Sequence, residues 1–363
     1  MKRFFRYLFT LGSLLLLSFL IKPCPAVEVA NSKIVVVSLH AQVEPSDDLV
    51  VGSVLTTSGL RSSLSNSSAA VYSNRTFYPF HYAGLAETCH DMVIIEGYFS
   101  MIHSFIHEVR RISREQLRTG SCPGKETPVR VVFWSLDPDF PEPTSAANFD
   151  VDAILTNSYD LLNFFSRVSP TMHTGYLPLA ADTALFHPPP VPSPGAPTDV
   201  VFVGSAGSVM SGSKRFLREV LLAMVEILES KPSLNLKIYG AAWDQLPEFR
   251  DYYEGVLPLA DLPAVYRNSL CVIGVTMDTQ RESGMINNRV YEVLASGVPF
   301  ISEWFQSIYD LAGDVILYYE EGNVRVGLEA AINRILNMVR KAQSRRGGER
   351  KKRGGAICSF AGH

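Results

Sequence analysis

At 363 residues, 47% of them apolar and 19% charged, the chain has the composition of a globular protein and the length for two domains with separate cores. A formal net charge of −3 argues against a nucleic-acid platform. The five cysteines form no CxxC pair and no Cys/His spacing of the kind that holds a structural metal.

The chain opens with Lys2, Arg3 and Arg6, followed by the uncharged, mostly apolar run Tyr7 to Ile21 and the small residues Cys24-Pro25-Ala26. That order is the pattern of a secretory signal, read over residues 1–30. The apolar run falls short of the roughly 20 residues of a spanning helix, so a cleaved signal and a retained signal anchor both stay open. Either places the chain in the secretory pathway, in the ER or Golgi lumen or outside the cell. Asn66-Ser67-Ser68 and Asn74-Arg75-Thr76 are N-glycosylation acceptors within a Ser-rich stretch read as a loop. In an oxidising lumen Cys89 and Cys122 are expected to pair, with alpha carbons within about 7 Å. Cys271, inside an apolar run, reads as a buried thiol.

Four short apolar runs follow: Lys33 to Ser38, Asp91 to Glu96, Val129 to Trp134 and Val151 to Thr156. An amphipathic helix runs from Gly97 to about Arg118, and another begins near Asp160, capped by Asn157 or Ser158. Strands alternating with helices predict an α/β domain on a parallel sheet, with ligands at the strand carboxyl ends. His40, Glu96 and Asp137 fall at such ends. Each also reads as an ordinary residue: a loop histidine, a helix-start carboxylate, a turn residue before Pro138. The first domain is assigned to residues 31–186. The Pro-rich segment HPPPVPSPGAP, residues 187–197, is a stiff linker, and residues 198–339 form the second domain.

The second domain starts with the strand Thr198 to Gly204, the small-residue loop SAGSVMSGS, and Lys214-Arg215. Such a loop at a helix start can bind a phosphate, with the two cations supplementing its amides; it can equally be a flexible surface turn. Strands follow at Leu234 to Gly240 and Cys271 to Val275, with a Gly-turn and short helix between them over Gly255 to Tyr266. Then comes NNRVYEVLASGVPFISEW, Asn287 to Trp304. Asn287 caps a helix whose apolar residues Val290, Val293 and Leu294 keep helical spacing, Gly297 ends it in a left-handed turn, and Pro299 starts a buried strand. Arg289, Glu292 and Ser296 share the polar face. A carboxylate there can accept both hydroxyls of a ribose, and Arg289 with the helix end can attract a diphosphate. The alternative is an Arg289–Glu292 surface pair at i,i+3.

The NxRVxExLASG segment, preceded in order by IYG, YxGxL, LPxxY and an apolar strand, resembles the donor half of group-1 glycosyltransferases, most closely the spore-coat glycosyltransferase-like branch. FWSLDPDF and Tyr176 to His187 (YLPLAADTALFH) resemble first-domain segments of the same branch. The resemblance implies a GT-B architecture: two Rossmann-like parallel-sheet domains facing a cleft. It implies ribose binding by Glu292 and favours Asp137; together with the residue-level reading, Arg289, Lys214 and Arg215 are expected on the diphosphate, Asn288 and Gly204 in the donor site, and Asp137 and His40 on the catalytic, acceptor side. Many relatives carry a second Glu where this chain has Gly284; Glu282 is the nearest substitute. The implied partners are a nucleotide-diphosphate sugar as co-substrate and a glycan, protein or lipid acceptor, with no metal, no other cofactor and no nucleic acid. Two rivals share features of the sequence: a non-catalytic lumenal binding protein of the same fold and a two-domain solute-binding protein. Residues 340–363, with eight Lys or Arg between Arg340 and Arg353 and no apolar periodicity, are expected to be a disordered basic tail rather than a bracing helix.

Overall fold

The computed structural model describes residues 34–38, 71–74, 89–97, 99–135, 149–189, 197–210, 212 and 215–358. It divides into two compact units, Met1–Asp182 with Thr279–Asn288, and Thr183–Asp278 with Arg289–His363. Each is α/β and holds one parallel sheet.

The first unit contains β1 (Ile34–Ser38), β2 (Val71–Asn74), β3 (Met92–Gly97), α1 (Phe99–Thr119), β4 (Arg130–Ser135), β5 (Ala153–Thr156), α2 (Tyr159–Val168) and β6 (His173–Tyr176). Strand order is β2-β1-β3-β4-β5-β6, all parallel. The central strands read as unbroken apolar runs because both faces of a parallel sheet are covered. Val93, Ile95, Val131, Phe133 and Ile154 from the strands meet Phe105, Ile106 and Val109 of α1 and Leu161 and Phe165 of α2 in one core. Gly120, at a φ of +67°, ends α1. Its amide bonds to Leu117 O and that of Ser121 to Gln116 O, the paired closure that satisfies the last carbonyls of a helix. Buried Arg110 ties the helix to the sheet by donating to Val129 O (2.7 Å) and Asp152 Oδ2 (3.0 Å).

Strands β2 and β6 extend the sheet beyond the four expected runs. Asn74 is thereby the last residue of β2, opposite Val37, and not part of a loop: Val71 and Tyr72 begin a strand that the surrounding serines conceal. Asn66 and residues 1–30 lie outside the described residues. Among the described residues no helix is long and apolar enough to cross a membrane.

The second unit contains β7 (Asp199–Val203), a single helical turn α3 (Gly207–Met210), α4 (Arg215–Glu229), β8 (Asn235–Tyr239), α5 (Leu262–Asn268), β9 (Cys271–Ile273), α6 (Asp278–Glu282), α7 (Asn288–Ser296), β10 (Phe300–Glu303), α8 (Gln306–Ala312), β11 (Leu317–Tyr319) and α9 (Val324–Cys358). From α6 and α7, the stretch Thr279–Asn288 groups with the first unit. Strand order is β11-β10-β9-β7-β8, all parallel, so the winding direction reverses between β7 and β9. Gly297 (φ +71°) ends α7 as expected, with amide bonds from Gly297 to Leu294 O and from Val298 to Val293 O.

The basic carboxyl-terminal stretch differs from its expectation. Helix α9 continues through Cys358, where a disordered tail was expected from 340; residues 359–363 lie outside the described residues. Val324, Leu328, Ala331, Ile332 and Ile335 form its buried stripe. Beyond Arg340 the sequence keeps no apolar periodicity, but Lys, Arg, Gln and Glu are good helix formers and can prolong a helix already nucleated by packing.

Cys89 and Cys122 form a disulfide, with alpha carbons 5.6 Å apart. It closes a 33-residue loop containing β3 and α1, and a loop of that size confers roughly 4 kcal/mol. Replacing both cysteines with serine should lower the denaturant unfolding free energy of the first unit by about that amount; an unchanged midpoint would show that the bond stabilises nothing.

Candidate functional site

In open parallel sheets ligands bind beyond the strand carboxyl ends where the winding reverses. In the second unit that point lies at the ends of β7 and β9. The chain leaves β7 at Gly204, whose amide donates to Tyr239 O (2.8 Å) and whose carbonyl accepts from Trp243 Nε1 (2.5 Å). A side chain at Gly240, at the end of β8, would lie 2.2 Å from Gly204 O, and Gly240 has a φ of +132°; only glycine fits. Trp243 packs edge-on against Phe202 and Phe249, fixing the β7 end.

Arg289, on the first turn of α7, reaches this junction. Its Nη2 donates to Val203 O, and its guanidinium carbon lies 5.2 Å from the centre of the Phe202 ring, within cation–π range. A Cβ at Gly204 would approach the Phe202 ring to 3.0 Å and Arg289 Nη2 to 3.3 Å, so the missing side chain leaves room for the stacked pair. One turn on, Glu292 is 4% exposed. The fully buried Tyr266 of α5 interacts with both Glu292 and Arg289, joining the three into one buried cluster. Burial pushes the Glu292 carboxyl up to about 7, against the opposing pull of Arg289 and the Tyr266 hydrogen bond. Burial likewise raises the Tyr266 phenol, with the Glu292 charge adding to it. The alternative of a solvated Arg289–Glu292 surface pair is therefore wrong for this chain: α7 turns Glu292 and Ser296 inward, and Ser296 Oγ donates to Glu292 O (2.8 Å).

A second buried carboxylate stands two strands away. Glu303, the last residue of β10, accepts from the Thr276 amide (2.5 Å) through Oε1 and from Ser302 Oγ (3.0 Å) through Oε2. Tyr319 of β11 places its hydroxyl 2.9 Å from Gly274 O, to which it donates, and 3.3 Å from Glu303 Oε2. Glu303 thus holds the loop that leaves β9.

The structure brings together Gly204, Arg289 and Glu292 of the expected donor residues. It changes the part played by the loop after β7. The amides of Gly204, Ala206, Gly207, Val209 and Met210 bond to Tyr239, Ala241, Ser205 and Ala206, so these five serve the loop's own fold. Arg215 opens α4. Asn288 is the first residue of α7, and Glu282 is the exposed last residue of α6; both belong to the stretch grouped with the first unit. Gly284 follows α6 at a φ of +68°, with amide bonds from Gly284 to Arg281 O and from Met285 to Gln280 O. The glycine that replaces the relatives' Glu is thus a helix stop, and a Glu there would be strained. His40, Asp137 and Lys214 lie outside the described residues; Glu96 is placed in β3 opposite Trp134.

Sequence reasoning gave no role to Tyr266 or Glu303. Tyr266 is the aromatic of the LPxxY segment, and Glu303 is a carboxylate ending an apolar run, the same signal that singled out Glu96.

Residues 218–353 match the family model described as glycosyl transferase-like, a stretch that includes Tyr266, Arg289, Glu292 and Glu303. No curated protein matches the chain by sequence. Among solved structures, an alpha-glucosyltransferase in complex with UDP and DNA containing a modified base is 11% identical, with a TM-score of 0.56 over 87% of this chain and 93% of that one. The same values hold for an alpha-glucosyltransferase with UDP-glucose and DNA containing an abasic site. A UDP-forming trehalose-phosphate synthase from Burkholderia xenovorans is 13% identical, with a TM-score of 0.49 over 85% and 91% of the two chains. The fold of this chain is the two-sheet GT-B fold of those glucosyltransferases.

The buried carboxyl has a consequence for stability. A group whose pKa rises from 4.5 to about 7 on folding favours the folded state most below pH 4.5, and that advantage is lost as pH climbs through 7. The loss is on the order of 3 kcal/mol. Chemical unfolding at pH 5 and pH 8 should show the wild type losing that much more than Glu292→Gln; equal losses would place the carboxyl in an unperturbed setting.

Proposed function

We propose that this chain is a glycosyltransferase that takes a nucleotide-diphosphate sugar in its second unit and transfers the sugar to an acceptor bound by its first. The observation that carries the reading is the Arg289–Glu292–Tyr266 cluster at the winding reversal of the second sheet, inside the stretch that matches a glycosyl transferase-like family. That match also weighs against the solute-binding alternative.

The chemistry follows from the groups present. A carboxylate has about four acceptor positions and Tyr266 uses one, so an ionised Glu292 retains capacity for two ribose hydroxyls. Because Glu292 is buried, a ribose reaches it only as its cover gives way, and two donated hydrogen bonds then favour the charged form that burial alone disfavours. Nucleotide binding and proton release are thereby coupled near neutral pH. Arg289, with Lys214 and Arg215, would neutralise the diphosphate as negative charge develops on it during glycosidic bond cleavage, a stabilisation that needs no metal. Asp137 and His40, at strand ends of the first unit, are the proposed acceptor-side residues. Membership of the spore-coat branch is the finer proposal. A secretory location is supported by the amino-terminal charge-then-apolar order and by the Cys89–Cys122 bond, since disulfides persist in oxidising compartments.

The test is nucleotide release. Wild type incubated with UDP-glucose, UDP-galactose, UDP-N-acetylglucosamine and GDP-mannose should release nucleotide from at least one, in preference to the rest. Glu292→Ala should lower affinity for that donor tenfold or more, because each charge-assisted hydrogen bond to the ribose is worth about 1.5–3 kcal/mol. Undiminished donor affinity in a folded Glu292→Ala protein would make the cluster a structural feature alone.

A further inference from the structure

The first unit carries an aromatic pair that no part of the donor site uses. Tyr159, the first residue of α2, and Tyr176, the last of β6, stack with ring centres 4.2 Å apart and planes 6° from parallel. Both sit at the carboxyl edge of the first sheet, the edge at which parallel sheets bind ligands. Their positions are held from both sides. The register sets Thr156 of β5 opposite Tyr176, and the Leu177 amide bonds to Thr156 O (2.8 Å). On the other side the Ser158 hydroxyl caps α2 by accepting from the Leu161 amide and donates to Ser283 O (2.7 Å).

Tyr159 is 53% exposed although Tyr176 covers one of its faces, so the exposure lies on its opposite face and edge. Among the residues of the first unit whose side-chain burial is described, it is the only strongly exposed large hydrophobic. A protein-docking surface would gather several such side chains around it; a single rigid ring suits a ligand the size of one ring.

We propose that the Tyr159–Tyr176 stack is a platform for a pyranose ring of a glycan. A pyranose offers one face of C–H bonds to an aromatic plane and directs its hydroxyls outward to water and polar groups. A tyrosine, apolar in body and polar at its tip, meets both demands. Stacking on Tyr176 removes the rotamer freedom Tyr159 would otherwise lose on binding. Burial and the neighbouring Tyr159 push the Tyr176 phenol up to about 12, so its hydroxyl remains a neutral donor throughout the physiological range. A nucleobase could also stack on an aromatic plane, but Asp160 follows Tyr159 directly and the chain carries a net charge of −3, where a nucleic-acid strand calls for cations. The assignment of this glycan as the acceptor rests on the transferase reading; the platform itself does not.

The test uses the full chain on an array of glucose, galactose, mannose and N-acetylglucosamine oligosaccharides with an oligothymidylate control, in the presence and absence of UDP. Wild type should be retained on at least one oligosaccharide class. Tyr159→Ala, with an unchanged thermal midpoint, should weaken that retention roughly tenfold, and Tyr159→Phe should restore it. Retention on no oligosaccharide, equal retention of Tyr159→Ala, or retention on oligothymidylate alone would each overturn the proposal. A parallel UDP titration of the wild type reports on the transferase reading: glycan retention that depends on Tyr159 without UDP binding would sink that reading and leave the platform standing.

Discussion

The second unit depends on one arrangement, a carboxylate buried beside an arginine that is itself anchored to the sheet. Glu292 is almost wholly removed from water, and Arg289, committed to Val203 O and the Phe202 face, does not fully compensate. A buried charge without complete compensation is costly, and burial here keeps the carboxyl close to half-protonated at neutral pH. Structure alone would be served as well by an apolar residue packed into the same volume, which is often the more stable choice. A ligand that donates hydrogen bonds and brings negative charge toward Arg289 would use what the unliganded fold leaves unsettled.

Glycines at strand ends make the arrangement feasible. Gly204 leaves space for the guanidinium, and Gly240 permits the close approach of β8's end to the Gly204 carbonyl. Gly274, after β9, accommodates Phe300, since a Cβ there would lie 2.3 Å from its ring. With Glu303 fixing the Thr276 amide and Trp243 fixing the Gly204 carbonyl, the two strand ends that flank the winding reversal are held by side chains. Rigid support of this kind is what positions binding groups to within fractions of an ångström.

Much of this was legible in the residues. The apolar runs within Asp91 to Glu96, Val129 to Trp134 and Thr198 to Gly204 announce buried parallel strands, Gly297 announces the stop of α7, and the oxidising context points to the Cys89–Cys122 pair. The direction of Glu292 was not legible, because helical spacing assigns it to a polar face without saying whether that face meets water or the LPxxY tyrosine of a distant helix. Strand β2 was hidden by the Ser-rich composition around it, since pairing with β1 supplies what local propensity does not. The basic extension of α9 is not legible in the sequence, because missing apolar periodicity argues against a buried face, not against a helix. Gly284 read as a lost ligand in sequence; its left-handed conformation makes it a helix stop.

The central claim is that Glu292 and Arg289 receive a nucleotide. The most direct measurement is a crystal structure of the protein with UDP. The account predicts ribose hydroxyls within hydrogen-bond distance of the Glu292 carboxylate and diphosphate oxygens on the Arg289 side of the β7 end. UDP bound elsewhere, with Glu292 still enclosed against Tyr266, would contradict it.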